Sequence, residues 1–329
     1  MSVFFLCPTV HLFVTDPLGL TVQDAWNTHA VHARKGGQVP VPASPTVRRR
    51  RLAAELRRLR ERASLTGDQV AEHMGWSASK VSRIENAHTP PRTPEIKKLL
   101  VLYGAEGGYA EELLTLAREA ATLKGWWETY SQTLPPEYSA LIGMEAEALS
   151  ASSWAPMIVP GLLQTSDYAR EVSNGYLERI VPAPPSETTR WVETRLARQQ
   201  VLTRDNPLRL SAVLDQSVLY RRFGNRKVMR SQIEQLLDLS ERDSITLCIL
   251  PLDGLHPIGT GAFVLLQFAE VHDIGHQDVV YLEHLTGGRY VEEEHETYRY
   301  KRSFDRLSEL AMNPAKSREI LASARDEWK

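Results

Sequence analysis

The 329-residue chain is poor in cysteine, with only Cys7 and Cys248, which lie far apart in the sequence. Two such residues do not build a disulfide scaffold or a zinc site, and they fit a reducing cytoplasm. No apolar run approaches the roughly 18–20 residues that a membrane helix needs. The apolar segment near the N-terminus lacks the basic start and the small-residue cleavage site of a signal peptide. These absences exclude a membrane protein and a secreted mini-protein, and they predict a cytoplasmic location.

Charge is small in total, −2, but it is unevenly distributed. Residues 46–104 contain thirteen Lys or Arg against six Asp or Glu, so this segment carries +7. Residues 1–45 are balanced, and residues 105–329 carry −9. A basic segment joined to an acidic one is typical of a nucleic-acid-binding module attached to a partner domain. A solvated arginine face on one helix is the alternative that charge alone leaves open.

Three segments are predicted from the pattern along the chain. Residues 1–45 show no sustained periodicity and end in a Gly/Pro/Ser stretch, so we expect a poorly ordered N-terminal extension. Through residues 46–123 apolar side chains recur at helical spacing, which predicts five short helices in one all-α domain. Residues 124–329 mix strands and helices without strict alternation, which predicts an α+β domain.

Within residues 124–329 short β-branched or aromatic-rich runs predict four strands: LRLSAVLD, SITLCILPL, GAFVLLQF and DVVYLEHL. Helices are predicted at Asp167–Val172, at Glu187–Leu202, at Ser217–Ser240, and from about Glu294 to the end. The segment ALIGMEAEALSASSWAPMIVPGLLQT, which begins at residue 140, is predicted to form a hairpin.

The segment Leu65–Ala87, LTGDQVAEHMGWSASKVSRIENA, predicts two short helices joined by a Gly-containing turn. In a helix-turn-helix the second helix enters the major groove, while the first lies across the phosphate backbone. Ala71 is small where the second helix crosses the first, and we expect Gly75 to be left-handed at the turn. Val81 and Ile84 anchor the second helix, so its opposite face projects outward.

The outward face of the second helix supplies the candidate base contacts: Ala78, Ser79, Lys80, Ser82 and Arg83. Among them Arg83 is the best candidate for a bidentate contact to guanine. Thr66 and Ser77, which begin the two motif helices, and Arg92 complete the predicted DNA-binding set.

Four consecutive arginines, Arg48 to Arg51, precede the first predicted helix. We expect them to form a flexible arm that follows the DNA backbone or enters a minor groove. The alternative is a solvated charge run that merely begins the helix.

Residues 52–104 resemble the lambda-repressor-like helix-turn-helix domain of the XRE family, through LRRLRERASLT, the small Ala71, MGWS and VSRIENA. The resemblance implies that Glu85 accepts a buried salt bridge from Arg60, and breaking such a pair costs about 3–5 kcal/mol. Gly67 replaces the Gln that often holds a phosphate in the family. Ala87 replaces the usual glycine of a left-handed turn, at roughly 1–2 kcal/mol of strain.

Residues 124–325 resemble the large domain of actinobacterial XRE regulators of the WhiJ-like type. The resemblance lies in GMEAEALSASSWAPMIVPGLLQTSDYAR, RLARQ, VLDQSVLYRRFG, QIEQLLDLS, ILPL, GAFVLLQF and VVYLEHLTGGRYVE, in that order. It implies a regulatory domain that is engaged by a small partner protein encoded nearby, and antitoxin-like roles are implied as well.

An enzyme would need a nucleophile, a base or a metal cluster in residues 124–329. His272 and His276 stand four apart, but the intervening HDIGH sequence predicts a surface loop and not a metal site. Cys248 lies in an apolar strand and is expected to be an inert core thiol. No catalytic residue, cofactor or metal is therefore predicted.

Two further groups leave a ligand cleft open as an alternative. The carboxylates near predicted strand ends are expected to be ordinary exposed groups, unless a cleft forms there: Glu145, Asp215 and Glu283. Three tryptophans are expected to be aromatic core, with a pocket as the alternative: Trp126, Trp127 and Trp154.

Together the patterns predict a sequence-specific transcriptional regulator that binds double-stranded DNA as a homodimer held through residues 124–329. Its second domain is expected to sense a small partner protein or a ligand. The main alternative is an antitoxin-like component of a toxin–antitoxin pair, which acts by protein sequestration and binds DNA for autoregulation. An enzyme with an attached DNA-binding domain is the third possibility.

Overall fold

The structure, a computed structural model, describes residues 47–122, 125–130, 134–177, 185–257, 259–269, 277–284 and 287–329. The predicted N-terminal extension, residues 1–45, and the HDIGH segment with its two histidines lie outside the described residues. All helices and strands named for this protein lie within these ranges.

Five helices form the first domain, as predicted: α1 (Val47–Arg62), α2 (Gly67–Met74), α3 (Ala78–Glu85), α4 (Thr93–Leu102) and α5 (Gly108–Thr122). All five contribute apolar side chains to one core, including Leu56 of α1, Val70 of α2, Ile84 of α3, Leu99 of α4 and Leu113 of α5. Burial of one such side chain contributes about 1.5–3 kcal/mol, so tertiary packing stabilises helices that are too short to persist alone.

The second domain is α+β, also as predicted. Its helices are α6 (Pro136–Glu147), α7 (Ser166–Leu177), α8 (Pro185–Arg198), α9 (Arg226–Leu239), α10 (Glu294–Leu310) and α11 (Pro314–Glu327). Its strands are β1 (Ser150–Ala155), β2 (Arg209–Asp215), β3 (Ile245–Leu250), β4 (Phe263–Gln267), β5 (Val279–His284) and β6 (Gly287–Val291). Short 3₁₀ turns occupy Trp126–Tyr130, Gly161–Leu163, Gln199–Leu202 and Gln216–Leu219.

The six strands form one mixed sheet in the order β3-β2-β1-β4-β5-β6. β1, β2 and β3 are parallel, whereas β4, β5 and β6 pair antiparallel to their neighbours. Alternate side chains along a strand point to opposite faces. On β2, for example, Leu214 joins the larger core beneath α6, α9 and α11, and Val213 joins a second core with Phe304 of α10. Helices therefore cover both faces of the sheet.

Two predictions for this domain are wrong. The segment predicted as a hairpin contains helix α6 and strand β1. α6 is buried on every side from Tyr138 through Glu145. Its apolar residues therefore do not form one stripe, and the helical period that would have identified the helix is absent from its sequence. The helix predicted over Ser217–Ser240 begins only at Arg226, because Gly224, at φ +70°, lies in a turn before it.

Candidate nucleic-acid interface

The first motif helix, α2, is fixed at both ends by its own sequence. The hydroxyl of Thr66 accepts a hydrogen bond from the backbone N–H of Gln69 at 3.2 Å, and Gln69 Oε1 accepts one from the Thr66 N–H at 2.8 Å. This reciprocal capping box satisfies two N–H groups that a helix start would leave unpaired. Gly75 ends the helix at φ +64°, the left-handed conformation that its position in the turn predicts. Gln69 was missed as a site residue, although its spacing from Thr66 is a visible capping signal.

α3 presents a polar face to solvent because its other face is anchored in the core. Val81 and Ile84 are buried, and Ser77 caps the helix by accepting a hydrogen bond from the Lys80 N–H at 3.3 Å. Four of the five candidate base-contact residues on α3 are exposed: Ala78, Ser79, Ser82 and Arg83. The helix therefore has the form that major-groove recognition requires, with short side chains and one long cation on the outer face.

Lys80, the fifth candidate, is half-buried and has partners within the domain. Its Nζ donates to Glu95 Oε1 at 2.6 Å and lies 3.9 Å from the centre of the Trp76 ring. The hydrogen bond from Lys80 lowers the pKa of Glu95, so the carboxylate stays ionised and offsets the lysine charge. Lys80 thus ties α3 to α4, a role that the spacing of the motif did not predict.

Arg83 and Arg92 are exposed and form no ion pair within the part of the chain that the structure describes. Arg83 Nε and Nη2 donate to the hydroxyl of Thr89, at 3.1 and 2.9 Å. A phosphate or a base edge can replace this neutral hydroxyl, because an exposed guanidinium bonds more strongly to an anionic or bidentate acceptor. Both guanidinium charges are therefore available to an anionic partner.

A bidentate ion pair joins α1 to the end of α3. Arg60 Nε lies 2.7 Å from Glu85 Oε1 and Nη2 lies 3.0 Å from Oε2, while Nη1 donates to the Leu65 carbonyl oxygen at 2.9 Å. The two side chains are only 14% and 10% exposed, and the hydrogen bonds to Glu85 raise the pKa of Arg60. This is the geometry that the family resemblance implies. Ala87, two residues beyond, takes the expected left-handed conformation at φ +57°.

The four-arginine run does not form a flexible arm, and that prediction is wrong. α1 already begins at Val47, so the four arginines lie within this helix. Val47 itself is only 2% exposed and packs in the core of the second domain. The guanidinium of Arg48 lies 3.3 Å from Glu119 of α5 and 3.6 Å from Glu147 of α6. Arg49 Nε donates to the carbonyl oxygen of Ala120 at 3.2 Å.

Arg50 and Arg51 contact the second domain. Arg50 pairs with Glu292 and lies 5.0 Å from the centre of the Tyr290 ring, and burial lowers its pKa. Arg51, 3% exposed, donates from Nη2 to the Ala269 carbonyl oxygen at 2.7 Å. The first turn of α1 is therefore an interdomain contact, because Arg48, Arg50 and Arg51 each contact a residue of the second domain.

The carboxylates singled out near strand ends have different surroundings. Glu145 is fully buried and pairs with Arg198, whereas Glu283 is exposed. Asp215 accepts hydrogen bonds from Ser217 and from His256 Nε2, the latter at 2.9 Å. Burial opposes its charge, but these hydrogen bonds lower the pKa of Asp215. The Ser217 hydroxyl is bonded to the carboxylate and not to the imidazole, so it is not placed for activation as a nucleophile.

The remaining candidates pack as core. Burial raises the pKa of the half-buried Cys248 thiol, as an inert thiol requires. Trp126 and Trp127 pack in the core of the second domain, while Trp154 is buried and lines a cavity. In the described ranges, no group of three His, Cys, Asp or Glu side chains is placed to hold a metal ion. No helix among them is both long and apolar enough to cross a membrane.

Two family models match the chain. A domain of unknown function, DUF5753, matches residues 138–323, which is more than half of the sequence. The chain belongs to the DUF5753 family. A helix-turn-helix domain model matches residues 51–113, from α1 into α5, and supports a DNA-binding regulator. No curated protein and no solved structure matches the chain.

Proposed function

We propose that this DUF5753 protein is a cytoplasmic, sequence-specific transcriptional regulator of the XRE, lambda-repressor-like type. The observation that carries the proposal is the exposed face of α3, where Arg83 projects beside the short side chains of Ser79 and Ser82. The Arg60–Glu85 pair fixes the orientation of this helix, and the matching helix-turn-helix model covers it. The proposed DNA-binding set is Thr66, Ser77, Ala78, Ser79, Ser82, Arg83 and Arg92, with Lys80 positioning α3 against α4.

The proposal gives the second domain a regulatory task and no catalytic one. It senses a small partner protein or a ligand, and it holds two copies together on two half-sites about one DNA turn apart. The contact between α1 and this domain supports the sensing role, because a change in the second domain acts directly on the helix that carries Arg60. An antitoxin-like role would instead require a toxin that remains bound to the second domain.

The direct test is selection of duplexes from a randomised library by the full-length chain. We expect one sequence pattern to be enriched, with two protein copies per duplex by light scattering. Arg83→Ala should then weaken binding to the selected duplex by about 1–3 kcal/mol of binding free energy. It should also relax the sequence preference at one base pair, as expected for a bidentate contact.

The matched control is Arg302→Ala, which removes an exposed arginine from α10 in the second domain. It should bind the selected duplex like the wild type. The proposed function would be contradicted if no sequence is enriched. It would also be contradicted if Arg83→Ala and Arg302→Ala weaken binding to the selected duplex equally.

A further inference from the structure

A cavity in the second domain lies between the sheet and helices α6 and α8. Its volume is about 100 Å³, and it is partly open to solvent. Its walls are mainly apolar and aromatic, with Leu141, Trp154, Leu210, Phe263 and Tyr281 from α6 and four strands. Small-molecule sites have this character, with a few polar groups among apolar ones, and a cavity of this volume suits only a small ligand.

Two arginines of α8 line the cavity, and only one of them is neutralised. Arg198 pairs with Glu145, Nη2 lying 2.6 Å from Oε1, and also donates to the Tyr138 hydroxyl at 3.1 Å. Burial opposes the charge of Arg198, but Glu145 and Tyr138 more than compensate and raise its pKa. This pair is therefore internally balanced and does not need a ligand.

Arg195, one helical turn earlier, lacks such a partner. It is only 9% exposed, and its Nη1 donates at 2.7 Å to the neutral amide oxygen of Gln164. Its buried Nε has no hydrogen-bond partner, and no carboxylate in the described part of the chain pairs with it. A buried guanidinium without a counterion is costly, and an anion would relieve that cost.

Gly161 keeps the space beside this guanidinium open. A Cβ atom at this position would lie 3.8 Å from Arg195 Nε and 3.3 Å from Arg198 Nη1. A side chain there would occupy the region from which a ligand atom reaches Arg195.

We propose that the cavity binds a small monocarboxylate with an apolar body, its carboxylate on Arg195 and its body against Leu141 and Tyr281. Arg195 is the lining arginine without a directly paired carboxylate, so it can hold one carboxylate group, and Glu283 at the lining disfavours a second negative charge on the ligand. This inference rests on the proposed function, in which the second domain senses a partner or a ligand, and it names the ligand class.

The cavity also shares elements with the interdomain contact. α6 carries the lining residues Tyr138 and Glu145, and two residues later Glu147, which meets Arg48 of α1. The ring of Tyr281, in the cavity wall, lies 5.3 Å from that of Tyr290, against which Arg50 packs. A ligand that shifts α6 or Tyr281 would therefore change the contacts that Arg48 and Arg50 of α1 make with the second domain.

The test measures binding of three probes to the full-length chain without DNA: propionate, isovalerate and phenylacetate, each beside its primary amide. Thermal unfolding and calorimetric titration should show that at least one carboxylate binds and raises Tm, whereas its amide does not. If no carboxylate binds, or if each amide binds as well as its acid, the proposal is overturned.

Arg195→Gln should weaken binding of the carboxylate at least tenfold and leave the fold intact, because it removes a charge that lacks a counterion. Gly161→Ala should weaken it as well. The matched control, Arg190→Gln, lies exposed on the same helix and should bind like the wild type. Unchanged binding in Arg195→Gln would overturn the proposal. Arg83→Ala should still bind the carboxylate, so failure of the DNA-binding proposal and failure of this one are distinguishable.

Discussion

The arginines at the start of α1 and those around α3 belong to the same basic segment, yet their surroundings are opposite. Arg51 is buried and donates to a carbonyl oxygen of the second domain, and Arg48 and Arg50 pair with acidic residues. Arg83 and Arg92 are exposed, without ion pairs in the described residues. A local excess of positive charge therefore marks a surface that meets negative charge, but it does not say whether that charge is DNA or another domain.

The first prediction compares two arginines of α1, the nearly buried Arg60 and the exposed Arg57. Arg60→Ala should lower the free energy of unfolding by about 3 kcal/mol, because it leaves the nearly buried carboxylate of Glu85 without its partner. Arg57, on the same helix, is 58% exposed and pairs with Glu61. Arg57→Ala should lower the free energy of unfolding by only about 0.3–0.5 kcal/mol. Chemical denaturation followed by circular dichroism measures both, and equal costs would contradict the role given to the Arg60–Glu85 pair.

The second prediction concerns the interdomain contact. Arg50→Ala/Arg51→Ala should lower the free energy of unfolding by about 2 kcal/mol, since lost hydrogen bonds to charged groups are partly offset by relief of buried charge. The two domains should also separate more readily, which limited proteolysis would detect as faster cleavage between them. If the double variant resists protease like the wild type, these arginines do not hold the domains together.

The third prediction sharpens the contrast between Lys80 and Arg83 on α3. Glu95→Gln removes the carboxylate that holds Lys80, so the lysine becomes available to a phosphate. The slope of log K for DNA against log salt should become steeper by up to about 0.9, the value for one phosphate contact. Glu111→Gln, an exposed change of the same charge on α5, is the control and should alter the slope less. Equal slopes in both variants would show that Lys80 does not contact a phosphate even without its carboxylate partner.

The fourth prediction compares two non-glycine residues with left-handed backbone, Ser64 after α1 and Ala87 after α3, at φ +56° and +57°. Ser64 is exposed, so Ser64→Gly should raise the free energy of unfolding by about 0.5–1 kcal/mol through relief of strain. Ala87 is buried, so Ala87→Gly also loses a buried methyl group. This substitution should therefore raise the free energy of unfolding by less than Ser64→Gly does. Thermal unfolding measures both, and a loss of stability in Ser64→Gly would contradict the strain argument.

Much of the helical domain was predictable because its signals are local. Thr66 and Ser77 cap helices, Gly75 turns the chain, and Val81 and Ile84 are spaced for burial. The same holds for the four predicted strands, which are β-branched or aromatic-rich and bounded by breakers. β6 was missed because its two glycines carry no strand signal.

Other features depend on contacts that no local pattern contains. α6 is enclosed on all sides, so its helical period is hidden. The first turn of α1 carries an ordinary arginine run, and only the fold shows that the second domain contacts it. Arg195 likewise lies within a regular amphipathic helix, and its lack of a counterion is visible only where the chain packs.

The central claim is that the arginines around α3 contact DNA whereas those at the start of α1 hold the second domain. Its most direct test is the salt dependence of DNA binding for two variants of the same chemistry, Arg92→Gln and Arg48→Gln/Arg50→Gln. We expect the slope of log K against log salt to fall by about 0.9 in Arg92→Gln and to stay unchanged in the double variant. The reverse result, a shallower slope only in the double variant, would contradict the account.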